Sequence, residues 1–369
     1  MKVVHLLGPL RRSGAEMMLL SSADLFSRSG IELSVASLAD PSDSEIAEQF
    51  EAAGIEVTHL VASSRQAAAR AFRDLVVAHA PDLVHVHTER ASAVTELAAR
   101  STGAPVLRSV HSVFQFDGAL RARKAAERLV ARVLGVTTAS VSESVQSNEW
   151  QRFRNPSRVL HNWFNDEHFR PPDERRREQA RAMLEVDDRV TLAVVGNCAP
   201  VKNHAMLFEA IARLEPDARP LVLHVGSGST LNDEVALAAE LGVDDDVQFI
   251  GSMSDPRPAL WAADGFVMPS RHEGLGIAPL EAAGAGLHLL LADAPGLRDV
   301  ATALPYALTF RARARDLASA LSTVAGRLDD AAAREQSDAA RGRFGREAGA
   351  AGWIAMYRQL VGQSAPQAP

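Results

Sequence analysis

Short, continuously apolar runs alternate along this chain with longer stretches whose apolar residues recur every three or four positions. The first run, 3–7, stops at Gly8 and Pro9. From Ala15 the residues Met18, Leu19, Leu25 and Phe26 fall at helical spacing, and Gly30 is placed to stop that helix. A strand at 31–36, a polar turn and a helix at 43–53 follow; further strands are predicted at 57–61, 83–86, 106–110 and 136–140, with helices such as 65–78 between them. Strands that are apolar throughout and separated by helices belong to parallel sheets covered on both faces.

At Phe169 the pattern changes: Pro171 and Pro172 precede a densely charged helix. Alternation resumes with strands at 190–195, 221–225, 247–250, 265–268 and 288–291. The segments 186–196 and 243–251 resemble one another, each a polar turn entering a strand that stops at glycine, which is similar local structure rather than a repeat. The chain therefore reads as α/β, with two doubly wound Rossmann-like domains facing across a cleft. Their bounds are 1–168 and 169–348, followed by a helix at 349–362 and a frayed tail at 363–369. Trp353, Met356, Tyr357 and Leu360 share one face of that last helix.

Composition narrows the function. With 369 residues and 47% hydrophobic content, two cores can be filled. A net charge of -7 argues against general nucleic-acid binding. One cysteine, Cys198, excludes an internal disulfide. No stretch has the apolar length of a membrane span, and the first apolar run is too short for a signal peptide. These features lead to a cytoplasmic expectation, with a peripheral contact on the inner face of the membrane left open. Lysine occurs only at Lys2, Lys124 and Lys202, so a lysine at a motif position carries weight.

The richest segment is PSRHEGLGIAPLEAAGAG, 269–286. Glu273 opens the glycine loop Gly274, Leu275 and Gly276; Pro279 suits the first helical turn, and Glu281 is expected inside that turn. Glycines let a ligand approach backbone amides, and a helix N-terminus adds positive potential that suits phosphate. A loop carboxylate can accept from sugar hydroxyls, and a second one eight residues on can hold a vicinal diol. Taken singly, Glu281 reads as a helix-dipole partner and Glu273 as a solvated loop acid.

Together, E-G-L-G-I-A-P-L-E after P-S and before E-A-A-G-A-G resembles the E-x7-E signature of the retaining GT-B glycosyltransferases, family four. HLLGPLRRSGAE, PDLVHVHTE with LRSVHS, RVLHNWFNDEHFRP, VVGNCAPVKNH, LVLHVGSGS and VQFIGSMSD resemble that family's other segments in order, from about Val3 to about Asp299. The resemblance implies an acceptor-binding first domain, a nucleotide-sugar-binding second domain and a final helix crossing back to the first. It implies that Lys202 contacts the donor diphosphate, Glu281 holds the nucleotide ribose, and Glu273 with the amides of Gly274, Leu275 and Gly276 meets sugar and phosphates. His111 and Gly14 would face the reacting centre. No cofactor and no metal are implied. The partners would be a nucleotide-sugar donor (UDP-hexose or UDP-N-acetylhexosamine, then GDP-mannose) and an acceptor hydroxyl on a saccharide, lipid-linked saccharide or small natural product. Asn197 stands where the family has arginine, which leaves Arg271, Arg12 or His204 to supply the second cation. A nucleotide-sugar epimerase or hydrolase, and a non-catalytic nucleotide-sugar-binding partner, are the alternatives.

Other signals carry less. His85 and His87 share one strand face, and with His111 they could suggest a zinc site; but three strands precede them, unlike the first-strand motif of barrel amidohydrolases, no clear carboxylate set accompanies them, and His85 reads as a core-facing histidine. Asp244 and Asp246 read as a solvated turn, Asp40 as a turn residue, and Gly226 with Gly228 lacks the third glycine of a dinucleotide fingerprint. Arg121, Lys124, Arg128 and Arg132 form one helical face opposite Leu129, Val130, Val133 and Leu134. That face reads as solvated or as a dock for an anionic membrane.

Overall fold

The computed structural model describes residues 1–89, 91–324, 326 and 328–364, with residues 363 and 364 described by backbone alone; the expected tail lies outside the described residues from 365 onward. The chain forms two compact units, 1–163 with 346–369, and 164–345. The boundary expected at 168/169 falls inside the second of these.

The first unit holds strands β1 (Lys2–Leu7), β2 (Glu32–Ser37), β3 (Glu56–His59), β4 (Leu83–Val86), β5 (Val106–Val110), β6 (Val136–Ser140) and β7 (Arg158–Val159). They form one parallel sheet in the order β3-β2-β1-β4-β5-β6-β7. Alternation along β1 and β4 sorts the two faces. Val4, Leu6, Val84 and Val86 pack with Phe72 and Val76 of the helix Arg65–His79. His5 and His85, paired in register, lie against Trp353 and Tyr357 of the helix Arg346–Ser364, which thereby belongs to the first unit. Gly349 on that helix is required by contact: a Cβ there would sit 2.4 Å from the Trp163 ring.

The helix expected from Ala15 to Gly30 is two, Gly14–Ser21 and Ala23–Arg28. It breaks at Ser22, whose buried hydroxyl accepts from Trp163 Nε1 at 2.7 Å.

The helix Gly118–Val133 corrects the charge reading. The middle of its basic face, Lys124 and Arg128, is turned inward, while Arg121 and Arg132 at its ends are exposed. Arg128, 2% exposed, donates to Glu149 at 2.8 and 3.0 Å, and Lys124 pairs with Glu89 and Glu127, each at 3.0 Å. Arg121 and Arg132 donate to the carbonyls of Arg152 and Arg154. The opposite, apolar face is the exposed one, with Leu129 at 51% and Val133 at 74%. Two of the four cations of that face, Lys124 and Arg128, are therefore held by glutamates of the first unit.

The second unit holds β8 (Thr191–Val195), β9 (Leu221–Val225), β10 (Val247–Gly251), β11 (Gly265–Met268), β12 (His288–Ala292) and β13 (Ala307–Phe310). They form a parallel sheet ordered β10-β9-β8-β11-β12-β13. The charged helix after the prolines is Glu174–Met183, capped by Asp173, which accepts from the Arg176 amide at 2.8 Å. Asp246, expected in solvent, is buried and accepts from Arg189 at 2.7 Å and Arg219 at 3.2 Å. Asp40 is a turn residue, accepting from the Ser42 amide at 3.0 Å. Among the described residues no helix is long and apolar enough to cross a membrane.

Candidate functional site

In the second sheet the chain builds outward from β8 through β9 to β10, then returns to place β11 on the other side of β8. The carboxyl ends of β8 and β11 flank this switch point, where ligands of such sheets bind. Two loops meet there. Residues 196–203 follow β8, and residues 269–276 follow β11. The Arg271 amide donates to the Val201 carbonyl at 2.8 Å, and Asn203 Nδ2 donates to the Pro269 carbonyl at 3.3 Å. Across this seam Lys202 Nζ donates to Glu273 Oε1 at 2.8 Å, with the two side chains 16% and 15% exposed.

The glycine loop is shaped from below. The Glu273 amide donates to the Pro295 carbonyl at 2.9 Å. Gly296, at φ +81°, lies so close that a Cβ would stand 2.4 Å from the Glu273 carbonyl oxygen. Gly276, at φ +84°, opens the helix Ile277–Gly284. Glu281 is the fifth residue of that helix, in its second turn rather than its first, so the helix-dipole reading fails. Its half-buried carboxyl accepts no hydrogen bond among the described residues, and burial with the neighbouring Asp255 carboxylate pushes it up to about 7. Burial alone would also raise Asp255, but hydrogen bonds from Arg257 hold it below the usual carboxylate range.

Asn197 is exposed on the turn after Gly196. Of the cations considered for the missing arginine, His204 is excluded. It is 3% exposed, and its Nδ1 faces Glu234 Oε2 at 3.1 Å. Arg271 is exposed and donates to Asn203 Oδ1 at 3.1 Å. The Gly226–Gly228 pair has a packing cause: a Cβ at either would fall 1.8 Å from the Gly196 carbonyl oxygen or 2.3 Å from that of Cys198. Sequence reasoning passed over Ser270 and His272, whose Oγ and Nδ1 are buried beside this loop without a partner among the described residues. The one available signal was their position just before Glu273.

The first sheet has the same logic. Its switch point lies between β1 and β4. His5 Nδ1 and His87 Nε2 are 2.9 Å apart, His87 Nδ1 and His111 Nε2 are 2.9 Å apart, and Asn162 Nδ2 lies 3.3 Å from His111 Nδ1. With the Asn162 amide donating, each imidazole carries its proton on Nε2; His111 donates to His87 and His87 to His5, whose own Nε2 is buried without a partner among the described residues. Burial lowers His5 to about 3 and His111 to about 4, and holds His87 well below the usual range, so the chain is neutral near pH 7. His85 stands aside, bound to Tyr357 at 2.7 Å and Ser109 at 2.8 Å. Gly14 starts the helix Gly14–Ser21, and the Ser13 hydroxyl before it bonds the buried Glu16. The candidates thus divide: Lys202, Asn197, Glu273, Gly274, Leu275, Gly276 and Glu281 belong to the second unit, and His111 and Gly14 to the first.

Both halves match family models. Residues 12–168 match Glycosyltransferase Family 4, and residues 175–324 match Glycosyl transferases group 1. The chain is 32% identical over 239 residues to the D-inositol 3-phosphate glycosyltransferase of Streptomyces avermitilis, covering 58% of this chain and 51% of that one. It is also 32% identical over 233 residues to the protein of that name from Mycobacterium sp. (strain KMS), covering 58% and 52%. The chain thus spans about half the length of the curated relatives it matches. Among solved structures, a glycosyltransferase from Rickettsia africae ESF-5 superposes with a TM-score of 0.81 at 16% identity over 98% of each chain. Anabaena Alr3699/HepE in complex with UDP does so with 0.77 at 18% identity over 99% of each. The chain belongs to the family-four-like GT-B glycosyltransferases, and its fold is GT-B.

Proposed function

We propose that the protein is a retaining hexosyltransferase that moves a sugar from a nucleotide-diphosphate donor to an acceptor hydroxyl. The observation that carries this is the meeting of two loops at the second sheet's switch point, where Lys202 and Glu273 pair beside a helix bearing the unpartnered Glu281. Lys202 and the amides of Gly274, Leu275 and Gly276 would bind the diphosphate, as a compact cation and a bare backbone suit phosphate. Glu281 would accept from the ribose hydroxyls, and Glu273 from the sugar. In the first unit His111 is neutral, and its Nδ1 would accept from the acceptor hydroxyl by exchanging the long contact with the Asn162 amide, with the Gly14 turn serving the acceptor.

In this reading the bond from the anomeric carbon to the phosphate oxygen breaks. A bond to the acceptor oxygen forms on the same face, and the acceptor's proton passes to the leaving phosphate. The protein positions both reactants and stabilises charge on the departing group. A UDP-linked hexose or N-acetylhexosamine is favoured, with GDP-mannose second; Anabaena HepE, described bound to UDP-glucose, supports the first. Asn197 removes one cation, a charge-assisted hydrogen bond being worth about 1.5–3 kcal/mol, so donor binding leans on Lys202.

The test is a panel of nucleotide sugars in thermal-shift assays, followed by product analysis with and without a hydroxyl acceptor. The expected result is stabilisation by one donor and an α-linked product from an α-linked donor. Turnover without an acceptor would replace this reading with the hydrolase or epimerase, and binding without turnover would replace it with the non-catalytic partner.

A further inference from the structure

Behind the Lys202 loop lies a second cluster that the donor chemistry does not use. Cys198, His204, His224 and Glu234 are all buried, and their ligand-capable atoms lie within 4.8 Å of one another. They come from four elements: the loop after β8, the first residue of the helix His204–Ile211, strand β9, and the helix Leu231–Glu240. His224 Nε2 is 3.0 Å from His204 Nδ1; Glu234 Oε2 is 3.1 Å from the first-named helix's His204 Nδ1 and 3.2 Å from His224 Nε2. The other carboxylate oxygen is held aside by the Thr230 hydroxyl, which donates at 2.6 Å.

We propose that these four residues bind a zinc ion. A thiolate, two imidazole nitrogens and one carboxylate oxygen form a set that zinc prefers. Metal–ligand distances of about 2.0–2.2 Å in a tetrahedron put neighbouring N and O ligands about 3.3 Å apart, close to the spacings found here. The charges close: one thiolate and one carboxylate neutralise a divalent cation, the thiol proton leaving to solvent. Thr230 fills the outer position that orients a ligating carboxylate. The histidines of the first unit differ, since both nitrogens of His85 are bonded outside that cluster, to Tyr357 and Ser109, and the cluster has no thiol or carboxylate. Bound metal would tie residues 198–204, and so the loop presenting Lys202, to β9 and the helix behind it.

The test uses the full chain without an affinity tag. Metal is measured as purified by plasma mass spectrometry, and chelated protein is titrated with Co2+. The expected result is one equivalent of zinc, and with Co2+ a thiolate charge-transfer band with tetrahedral visible bands. Cys198→Ser should lose the charge-transfer band, and Glu234→Gln should weaken Co2+ affinity at least tenfold. His87→Ala should change neither. Less than stoichiometric metal with no cobalt spectrum in the unmodified chain would overturn the proposal, as would a charge-transfer band that survives Cys198→Ser. The unmodified chain decides the matter even if a variant fails to fold, and nucleotide binding plays no part.

Discussion

Glu281 is the residue whose environment says most about its role. Its folded carboxyl binds a proton more tightly than an unfolded one, since burial and Asp255 raise it to about 7. By linkage it therefore stabilises the fold at low pH, and this contribution fades as pH climbs through about 7. Ribose hydroxyls that donate to the ionised form would pull the value down again. Donor affinity should then rise as pH increases from 6 to 8, with release of a proton. Glu281→Gln should bind more weakly at high pH and show no such rise; calorimetry in two buffers of different ionisation heat checks both. A pH dependence unchanged in the variant would assign the proton elsewhere. Little of this was legible beforehand. The spacing of Glu273 and Glu281 could be read from the chain, but the second carboxylate's environment is set by Asp255, which arrives from the loop after β10. Likewise the neutral chain through His87 depends on His5 in β1 and Asn162, both distant in sequence from His111.

Elements were easier. Strands β4, β5, β6, β9 and β11 stand where the short apolar-rich runs place them, because strands of a parallel sheet covered on both faces bury most of their residues, although β5 also buries Arg108 and Ser109. The misses are the edges. β7 has two residues, and β13 is exposed at two of its four, so neither makes such a run. The helix Gly118–Val133 misled through its charges, since a basic stripe looks the same in sequence whether it meets water or buried glutamates. Gly296 also passed unnoticed, although it packs under the backbone of Glu273 and Gly274. Gly296→Ala places a β-carbon at φ +81° against the Glu273 carbonyl. The backbone penalty alone is about 1–2 kcal/mol. The expected outcome is a melting temperature lower by several degrees and weaker donor binding, whereas Gly342→Ala, inside a helix with open space around it, should leave donor binding unchanged and the melting temperature unchanged or slightly higher. Equal behaviour of the two variants would show that the loop is not built on Gly296.

For the whole molecule, the order of the chain and the order of the units differ. The first unit is completed only by residues 346–369, whose helix buries Trp353 and Tyr357. Removing everything after Gly345 should therefore unfold or loosen the first unit while the second keeps its protection. Hydrogen exchange followed by mass spectrometry reads this directly, with deprotection expected across 1–163 and none across 164–345. Uniform deprotection would mean that the units are not independent bodies. The two-domain architecture could be read from the sequence because hydrophobic periodicity is local. Trp353, Met356, Tyr357 and Leu360 likewise displayed a buried face, while the partner of that face came from resemblance rather than from pattern.

The central claim is that Lys202, Glu273 and Glu281 together hold a nucleotide-diphosphate donor. Calorimetric titration of UDP and GDP into the unmodified chain, Lys202→Ala and Glu281→Gln tests it most directly. The expected result is saturable binding of one nucleotide to the unmodified chain, weakened on the order of tenfold or more in each variant, as loss of a charged hydrogen bond worth about 1.5–3 kcal/mol requires. The variants should melt cooperatively. Binding of equal strength in all three proteins, or no binding of either nucleotide to the unmodified chain, would contradict it.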